Sequence, residues 1–258
     1  PNLFGFVNSQ GNLDSQGNAL ATMTIPDYVP ENLTLYFILL TIDPALSMPA
    51  AVTEISNPVS ITILPKINSV GFWRFNDGSG NIALDSSGNN NTGTIYGNPT
   101  WVTNSAPVFG NINALKFDGI DDYIAVAPSP SLSPPSINKL TIEFWIKING
   151  SGVMRVVDTT GYIITIRNDQ RLQLTLNLAV DHISNTVLTL NQWHHVILVY
   201  NGNAIKFIID GIQDSSPTSY GSSITLATTQ LYIGKDPGNN YYLNGILDDL
   251  RISYAALY

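Results

Sequence analysis

Apolar and polar residues alternate along this chain in short runs, and each run is cut by Gly, Asn, Asp or Pro. Leu140-Thr-Ile-Glu-Phe-Trp-Ile146, Trp193-His-His-Val-Ile-Leu-Val-Tyr200 and Leu243-Asn-Gly-Ile-Leu-Asp-Asp-Leu-Arg-Ile252 have the two-residue period of strands with one buried face. Leu115-Lys-Phe-Asp-Gly-Ile-Asp-Asp-Tyr-Ile124 predicts two half-buried strands joined by a tight acidic turn at Asp118-Gly119. Asn203 to Asp210, followed by Gly211, predicts a hairpin. No segment keeps an apolar period of 3.6 residues for three turns, so helices are few. The pattern predicts an all-β protein.

Residues 1–66 read as a separate unit. Ala19 to Ile25 alternates, Leu33 to Ile42 is a long apolar run closed by Asp43-Pro44, and Val59 to Leu64 alternates up to Pro65. Phe4 to Val7 is a possible fourth strand. So few strands make an incomplete β-sandwich whose edges need a cover, because unpaired strand edges recruit other chains. Either the first strands of this unit lie before Pro1, or its edges are covered by the second unit or by another copy. An interdomain or intermolecular strand contact, including self-association through the edges of residues 1–66, is therefore expected. The linker Pro65-Lys66-Ile67-Asn68 has no flexible Gly/Ser tract. Residues 68–258 form the second unit, where turn signals recur at the short spacing of a sandwich or jelly roll.

The motifs of the second unit also come in a telling order. Gly71-Phe-Trp-Arg-Phe-Asn-Asp-Gly-Ser-Gly80 is followed by Leu84-Asp-Ser-Ser-Gly-Asn-Asn-Asn-Thr-Gly93, then by the acidic turn, the Leu140 strand, the Trp193 strand, Ile208-Ile-Asp-Gly211 and the final Leu243 strand. In this order they resemble a laminin-G-like, concanavalin A-like jelly roll of two antiparallel sheets, and residues 1–66 resemble part of a small bacterial β-sandwich module. The resemblance implies a non-catalytic, extracellular recognition or adhesion module that binds a glycan or a surface protein. A structural subunit of an extracellular assembly is the alternative.

Composition narrows the partners. The chain carries 11 Lys and Arg against 19 Asp and Glu, a net charge of −8, and only 12% charged residues. Its basic residues are scattered singly, which excludes a phosphate-backbone footprint and hence nucleic acid. There is no cysteine, so disulfides and thiolate zinc sites are excluded, and three histidines make a histidine metal site improbable. No apolar run reaches the ~18 residues that span a bilayer. The chain begins at Pro1 with no signal peptide, which suggests a mature or partial chain; secretion or display on a prokaryotic cell surface is expected.

Catalysis finds little support. A retaining glycosidase needs two carboxyls about 5 Å apart. The glutamates are Glu31, Glu54 and Glu143, and Glu143 has no acidic residue two or four positions away. Asp121-Asp122 and Asp248-Asp249 are adjacent pairs, which a regular strand would aim to opposite faces. His194 and His195 lack a nucleophile elbow and a nearby acid in sequence, so His195 reads as a core or rim residue bonded to backbone.

Two sets of residues remain for binding. Asp118, Asp121 and Asp122 read first as turn formers, although an Asp-x-x-Asp turn also offers oxygens to calcium. The resemblance implies a structural Ca²⁺ tying an early loop to the last strand, which here would use Asp85, backbone oxygens of Gly88 or Asn90, and Asp248 or Asp249. Aromatic residues near turns are the expected contacts for a sugar ring: Tyr241, Tyr242, Trp101 and Tyr220. Phe72, Trp73, Phe75, Phe144 and Trp145 lie within strands, where core packing is the default.

Overall fold

Alternation becomes paired antiparallel sheets in the computed structural model, which describes residues 34–37, 40–42, 52–55, 59–62, 69–103, 105–107, 112–214 and 217–258. Cα positions divide the chain into Pro1–Lys66 and Ile67–Tyr258.

In the first unit, Thr34–Phe37 pairs with Val59–Thr62, and Leu40–Ile42 pairs with Val52–Ile55, both antiparallel. The apolar run expected as one strand from Leu33 to Ile42 thus supplies two, each with its own partner. Sequence reasoning did not separate out Val52–Ile55, a short run without strong turn punctuation. The expected strands at Phe4 to Val7 and Ala19 to Ile25, and the linker at Pro65 to Asn68, lie outside the described residues.

The second unit contains an eight-stranded and a nine-stranded sheet. The eight-stranded sheet runs Val180–Val187, Arg171–Leu176, Tyr162–Ile166, Met154–Asp158, Leu231–Ile233, Tyr123–Val126, Gly93–Tyr96, Ile82–Ala83. The other runs Ile212–Gln213, Ala204–Ile209, His194–Tyr200, Leu140–Ile148, Asn244–Ser253, Ala114–Asp118, Thr100–Val102, with Gly71–Trp73 also on Asn244–Ser253 and Thr218–Ser219 also on Ala204–Ile209. No helix occurs among the described residues.

The inner faces of both sheets feed one core. Leu140–Ile148 points Ile142, Phe144, Ile146 and Ile148 inward, all fully buried, and meets Ile164, Ile166, Leu172 and Leu174 from the opposite sheet. Trp73 and Phe75 are also buried, and the Trp73 indole N–H donates to the Asn91 carbonyl at 2.9 Å. Each such side chain contributes about 1.5–3 kcal/mol on burial, which is why the alternation dictates the sheet faces so strongly.

The acidic turn does not join the hairpin that its sequence predicts. Ala114–Asp118 and Tyr123–Val126 do not pair with each other: the first belongs to the nine-stranded sheet and the second to the eight-stranded sheet. The acidic turn is a corner that carries the chain across the core. Asp122 accepts the Asp118 N–H at 2.9 Å and Asp118 accepts the Ile120 N–H at 2.8 Å. The hairpin from Ala204–Ile209 to Ile212–Gln213 forms as expected, with Asp210 and Gly211 both at positive φ (53° and 78°).

Candidate binding face

A strand with one face in the core must point its remaining side chains outward. On the eight-stranded sheet these outward positions carry polar and aromatic residues in register. Tyr96 lies opposite Tyr123, Ala125 opposite Tyr232, Tyr232 opposite Asp158, and Thr165 lies opposite both Arg155 and Gln173.

Over part of this face lies a cavity of about 410 Å³, lined by Val153, Arg155, Thr165, Arg167, Asn168, Asp169, Gln173 and Tyr241. Its volume falls in the range of ligand pockets, roughly 300–1,000 Å³. The floor is tied together by hydrogen bonds and ion pairs. Arg155 Nη1 donates to Thr165 Oγ1 at 2.5 Å, Arg155 Nη2 pairs with Asp236, and Arg155 Nε lies 3.0 Å from Asp158 Oδ2. Arg167 Nη1 donates to Gln173 Oε1 at 2.8 Å, and Gln173 Nε2 donates to Thr175 Oγ1 at 3.1 Å. Arg167 Nε stands 3.4 Å from Asp169. Such a network fixes rotamers before any ligand arrives.

The two carboxylates under Arg155 are electrostatically unequal. Burial raises the Asp158 pKa to about 6; Arg155 pulls the other way, and the nearby Asp236 adds to the rise. Burial also works to raise Asp236, but hydrogen bonds from Arg155, the Gly238 N–H and the Asn239 side chain outweigh it and hold the group below its ordinary value. Asp236 Oδ1 also accepts the Gly238 and Asn239 N–H groups at 2.8 and 3.0 Å, closing the turn that leads to Tyr241. Carboxylates pushed apart in pKa are a mark of acid–base sites. Here, however, Asp158 and Asp236 are nearly buried and do not line the cavity, where Asp169 is the one carboxylate among the described residues.

Beside the cavity the same face bears aromatic rings. Tyr96 stacks on Tyr123 at 4.8 Å and 12°, and Tyr123 meets Tyr232 at 6.2 Å. Lys235 Nζ sits 4.2 Å from the Tyr123 ring centre, 5.8 Å from that of Tyr232 and 5.9 Å from that of Tyr242.

Of the aromatic contacts expected from sequence, Tyr241 and Tyr242 come to this face: Tyr241 is exposed at the cavity and Tyr242 faces Lys235. Trp101 does not join them; its half-buried ring packs against the core and its N–H donates to the Gly80 carbonyl at 3.1 Å. Tyr220 is no solvent contact. It is buried, packs edge-on against Tyr200 and His182, and its hydroxyl accepts from Asn177. Sequence reasoning missed Arg155, Arg167, Gln173 and Lys235. The available signal was the run of long hydrogen-bonding side chains on the outward phase of consecutive strands.

The residues expected around a cation are placed apart from this face. Asp85 Oδ1 accepts the N–H groups of Phe72 (2.9 Å) and Ser87 (2.8 Å), while Oδ2 accepts the Ser87 hydroxyl (2.7 Å) and the Asn91 N–H (2.8 Å). These bonds organise a loop in which Gly88 and Asn90 take positive φ. Asp248 is fully buried and accepts the Ala106 N–H at 2.8 Å, and Asp249 lies 3.8 Å from Arg74. Among the described residues, Asp85 does not gather with Asp248 and Asp249; Asp118, Asp121 and Asp122 are the acidic residues whose carboxylate oxygens lie within 4.8 Å of one another.

On the outer face of the nine-stranded sheet, His195 has an acid partner that the sequence did not reveal. Its Nε2 lies 2.9 Å from Glu143, and its ring stacks on Trp145 at 4.8 Å. Glu143 also accepts the Tyr258 hydroxyl at 3.0 Å and lies 3.6 Å from Arg251. Burial works to raise its pKa, but His195, Arg251 and Tyr258 together hold it below the ordinary value. The expectation that the His195 ring bonds to a neighbouring backbone is therefore corrected: strand pairing puts Trp145 opposite His195 and brings Glu143, two residues away on the same face, within reach.

The sequence model described as the concanavalin A-like lectin/glucanases superfamily matches residues 118–258, more than half of the chain. No curated protein matches the sequence. Among solved structures, domain 4 of AbnA, a GH43 extracellular arabinanase from Geobacillus stearothermophilus in complex with arabinotriose, is similar at 17% identity and a TM-score of 0.57; the match covers 75% of this chain and 96% of that one. The binding domain of Paraclostridial mosquitocidal protein 1 is similar at 18% identity and a TM-score of 0.60, covering 74% of this chain and 50% of that one. The binding domain of botulinum neurotoxin DC, in complex with rat synaptotagmin II, is similar at 18% identity and a TM-score of 0.55, covering 74% and 49%. The chain thus spans about half the length of these two toxin domains. At such identities the likeness is one of fold.

Proposed function

The chain belongs to the concanavalin A-like lectin/glucanase superfamily, and from that membership we propose that it is a non-catalytic module that binds an extracellular glycan on the outer face of its eight-stranded sheet. The observation that carries the reading is the cavity floored by Arg155, Thr165, Arg167 and Gln173 with Tyr241 at its side. Sugar hydroxyls both donate and accept. Guanidinium, amide and hydroxyl groups held in a fixed network meet them without further ordering, and an exposed tyrosine ring offers a flat surface to the C–H face of a pyranose or furanose. The AbnA domain with its arabinotriose supports this reading through a shared fold.

Binding without hydrolysis is favoured by the position of the acids. A hydrolytic pair must reach one glycosidic bond from two sides, whereas Asp158 and Asp236 are spent on Arg155 beneath the cavity. A secreted or cell-surface setting, in a prokaryote, fits a module of this kind. Among the described residues no helix is long and apolar enough to cross a membrane. Self-association through residues 1–66 belongs to the same proposal and is read by light scattering: a monodisperse monomer would remove it.

The test is a glycan array followed by calorimetry on the full chain. Arabino-oligosaccharides are the first soluble probes. Tyr241→Ala and Arg167→Ala should each weaken binding at least about tenfold, the loss of one well-placed contact. Trp145→Ala, on the opposite sheet, should leave affinity unchanged. Binding indifferent to Tyr241, or release of reducing sugar from the bound glycan, would reject the reading.

A further inference from the structure

Resting on the glycan reading, we propose that the tyrosine–lysine cluster beside the cavity takes an acidic sugar residue, with the ligand carboxylate paired to Lys235. The ring row is ordered. Tyr96 covers one face of Tyr123, so the Lys235 ammonium at 4.2 Å occupies the other, with Tyr232 and Tyr242 as further walls. Three ring faces hold the ammonium electrostatically. The backbone leading into it is fixed at Gly234, whose φ of +83° and close approach to Phe117 admit no side chain.

The surroundings single out Lys235. Among the described residues Lys116, Lys139, Lys147, Arg171 and Lys206 also have no carboxylate within 4.0 Å, but none of them is held among aromatic rings. Arg155 is committed to Asp158 and Asp236, and Arg167 lies against Asp169. Among the described residues, no carboxylate lies within 4.0 Å of Lys235, whose contacts are the three rings. An ammonium has three N–H donors, and none is taken by an acid here. A ligand carboxylate arriving at Nζ would form a charge-assisted hydrogen bond that no protein group supplies.

Adjacency argues for a sugar as the carrier of that carboxylate. Tyr241 and Tyr242 are consecutive; the first lines the cavity and the second faces Lys235. Tyr232, a wall of the lysine site, lies opposite Asp158, which underlies the cavity's Arg155. One oligosaccharide lying across the strands therefore reaches both. Tyr96, 45% exposed, offers an open ring to the next residue of the same chain. An acidic peptide would use the charge but not the row of rings and hydroxyl-reading groups.

The test is calorimetry on the full chain with oligogalacturonate, its carboxyl-reduced neutral counterpart and polyglutamate as probes. At low ionic strength the acidic oligosaccharide should bind about tenfold tighter than the neutral one, the discrimination of one charge-assisted hydrogen bond. Added salt should shrink the advantage. Lys235→Met, which keeps the stem against the rings, should abolish the advantage; Lys235→Arg should retain it. Equal affinity for the two oligosaccharides, or an advantage that survives in Lys235→Met, would overturn this inference while leaving the glycan reading in place. Polyglutamate competing as well as oligogalacturonate would overturn it in favour of an acidic peptide. Failure of both oligosaccharides and of the array would end the glycan reading and this inference together.

Discussion

Arg155 Nε lies 3.0 Å from Asp158 Oδ2, and both side chains are almost wholly buried. The pair forms on a single strand, three residues apart, because a register shift between Arg155 and Val157 brings position 155 onto the face of position 158. A second acid, Asp236, reaches the same guanidinium from a distant turn. Removing the cation would strand two buried carboxylates. Arg155→Ala should therefore destabilise the protein by about 3–5 kcal/mol. Urea unfolding checks this; a loss under ~1 kcal/mol would mean that the acids find water or protons at little cost.

The same pair sets a pH dependence. Asp158 has a folded pKa of about 6, above its unfolded value of about 3.9. The folded state therefore binds the proton more tightly, and the stability this contributes is present below pH ~4 and is lost as pH rises through about 6. Asp158→Asn removes the titration. Between pH 4 and pH 7 the variant should gain on the parent protein, whatever their offset, because only the parent loses this contribution. Parallel melting curves across that window, differing by a constant shift, would show that Asp158 titrates normally.

Tyr220 and Tyr241 both follow turn-rich sequence, and the structure sends them to opposite fates. Tyr220 is buried against Tyr200 and His182, whereas Tyr241 is 39% exposed at the cavity. Tyr220→Ala should cost about 3–5 kcal/mol, as large aromatic truncations in a core do, with ligand affinity retained by the folded fraction. Tyr241→Ala should do the reverse, changing stability within about 0.5 kcal/mol, as exposed sites do, while weakening the ligand. The two variants measured side by side by melting and calorimetry separate a packing role from a contact role.

The sequence made the buried faces legible, and left their partners illegible. Period-two alternation marked Leu140 to Ile146 as a strand with one buried face, because a one-residue slip would expose the whole set. Core packing was the default for Trp145 as for Phe144, yet Trp145 lies on the outer face against His195. The Asp210-Gly211 turn was legible because positive φ at two consecutive positions favours those residue types. The corner at Asp118 to Asp122 was not, since alternation says which face is buried and nothing about which sheet supplies the neighbour. The cavity was invisible for the same reason. Arg155 and Asp236 stand 81 residues apart, and only the adjacency of Met154–Asp158 to Leu231–Ile233 brings them together. Tyr220 was misplaced because a turn at the end of a sandwich can fold its aromatic back over the core.

Asp85 separates two explanations of the loop from Asp85 to Asn91. Its carboxylate accepts four hydrogen bonds from Phe72, Ser87 and Asn91, and Asn91 in turn ties the loop to the Val70 carbonyl at 2.6 Å and to Ser131 at 2.9 Å. That geometry makes Asp85 the organiser of a turn through protein donors. Asp85→Ala leaves the Phe72 and Asn91 N–H groups without their acceptor and should cost about 1.5–3 kcal/mol, the range for hydrogen bonds to a charged group. A loop organised by protein donors loses the same amount in excess calcium and in EDTA. Melting both proteins under the two conditions provides the check. Should the cost of the substitution vanish in EDTA, the carboxylate stabilises the fold through a bound ion, and its hydrogen bonds are secondary.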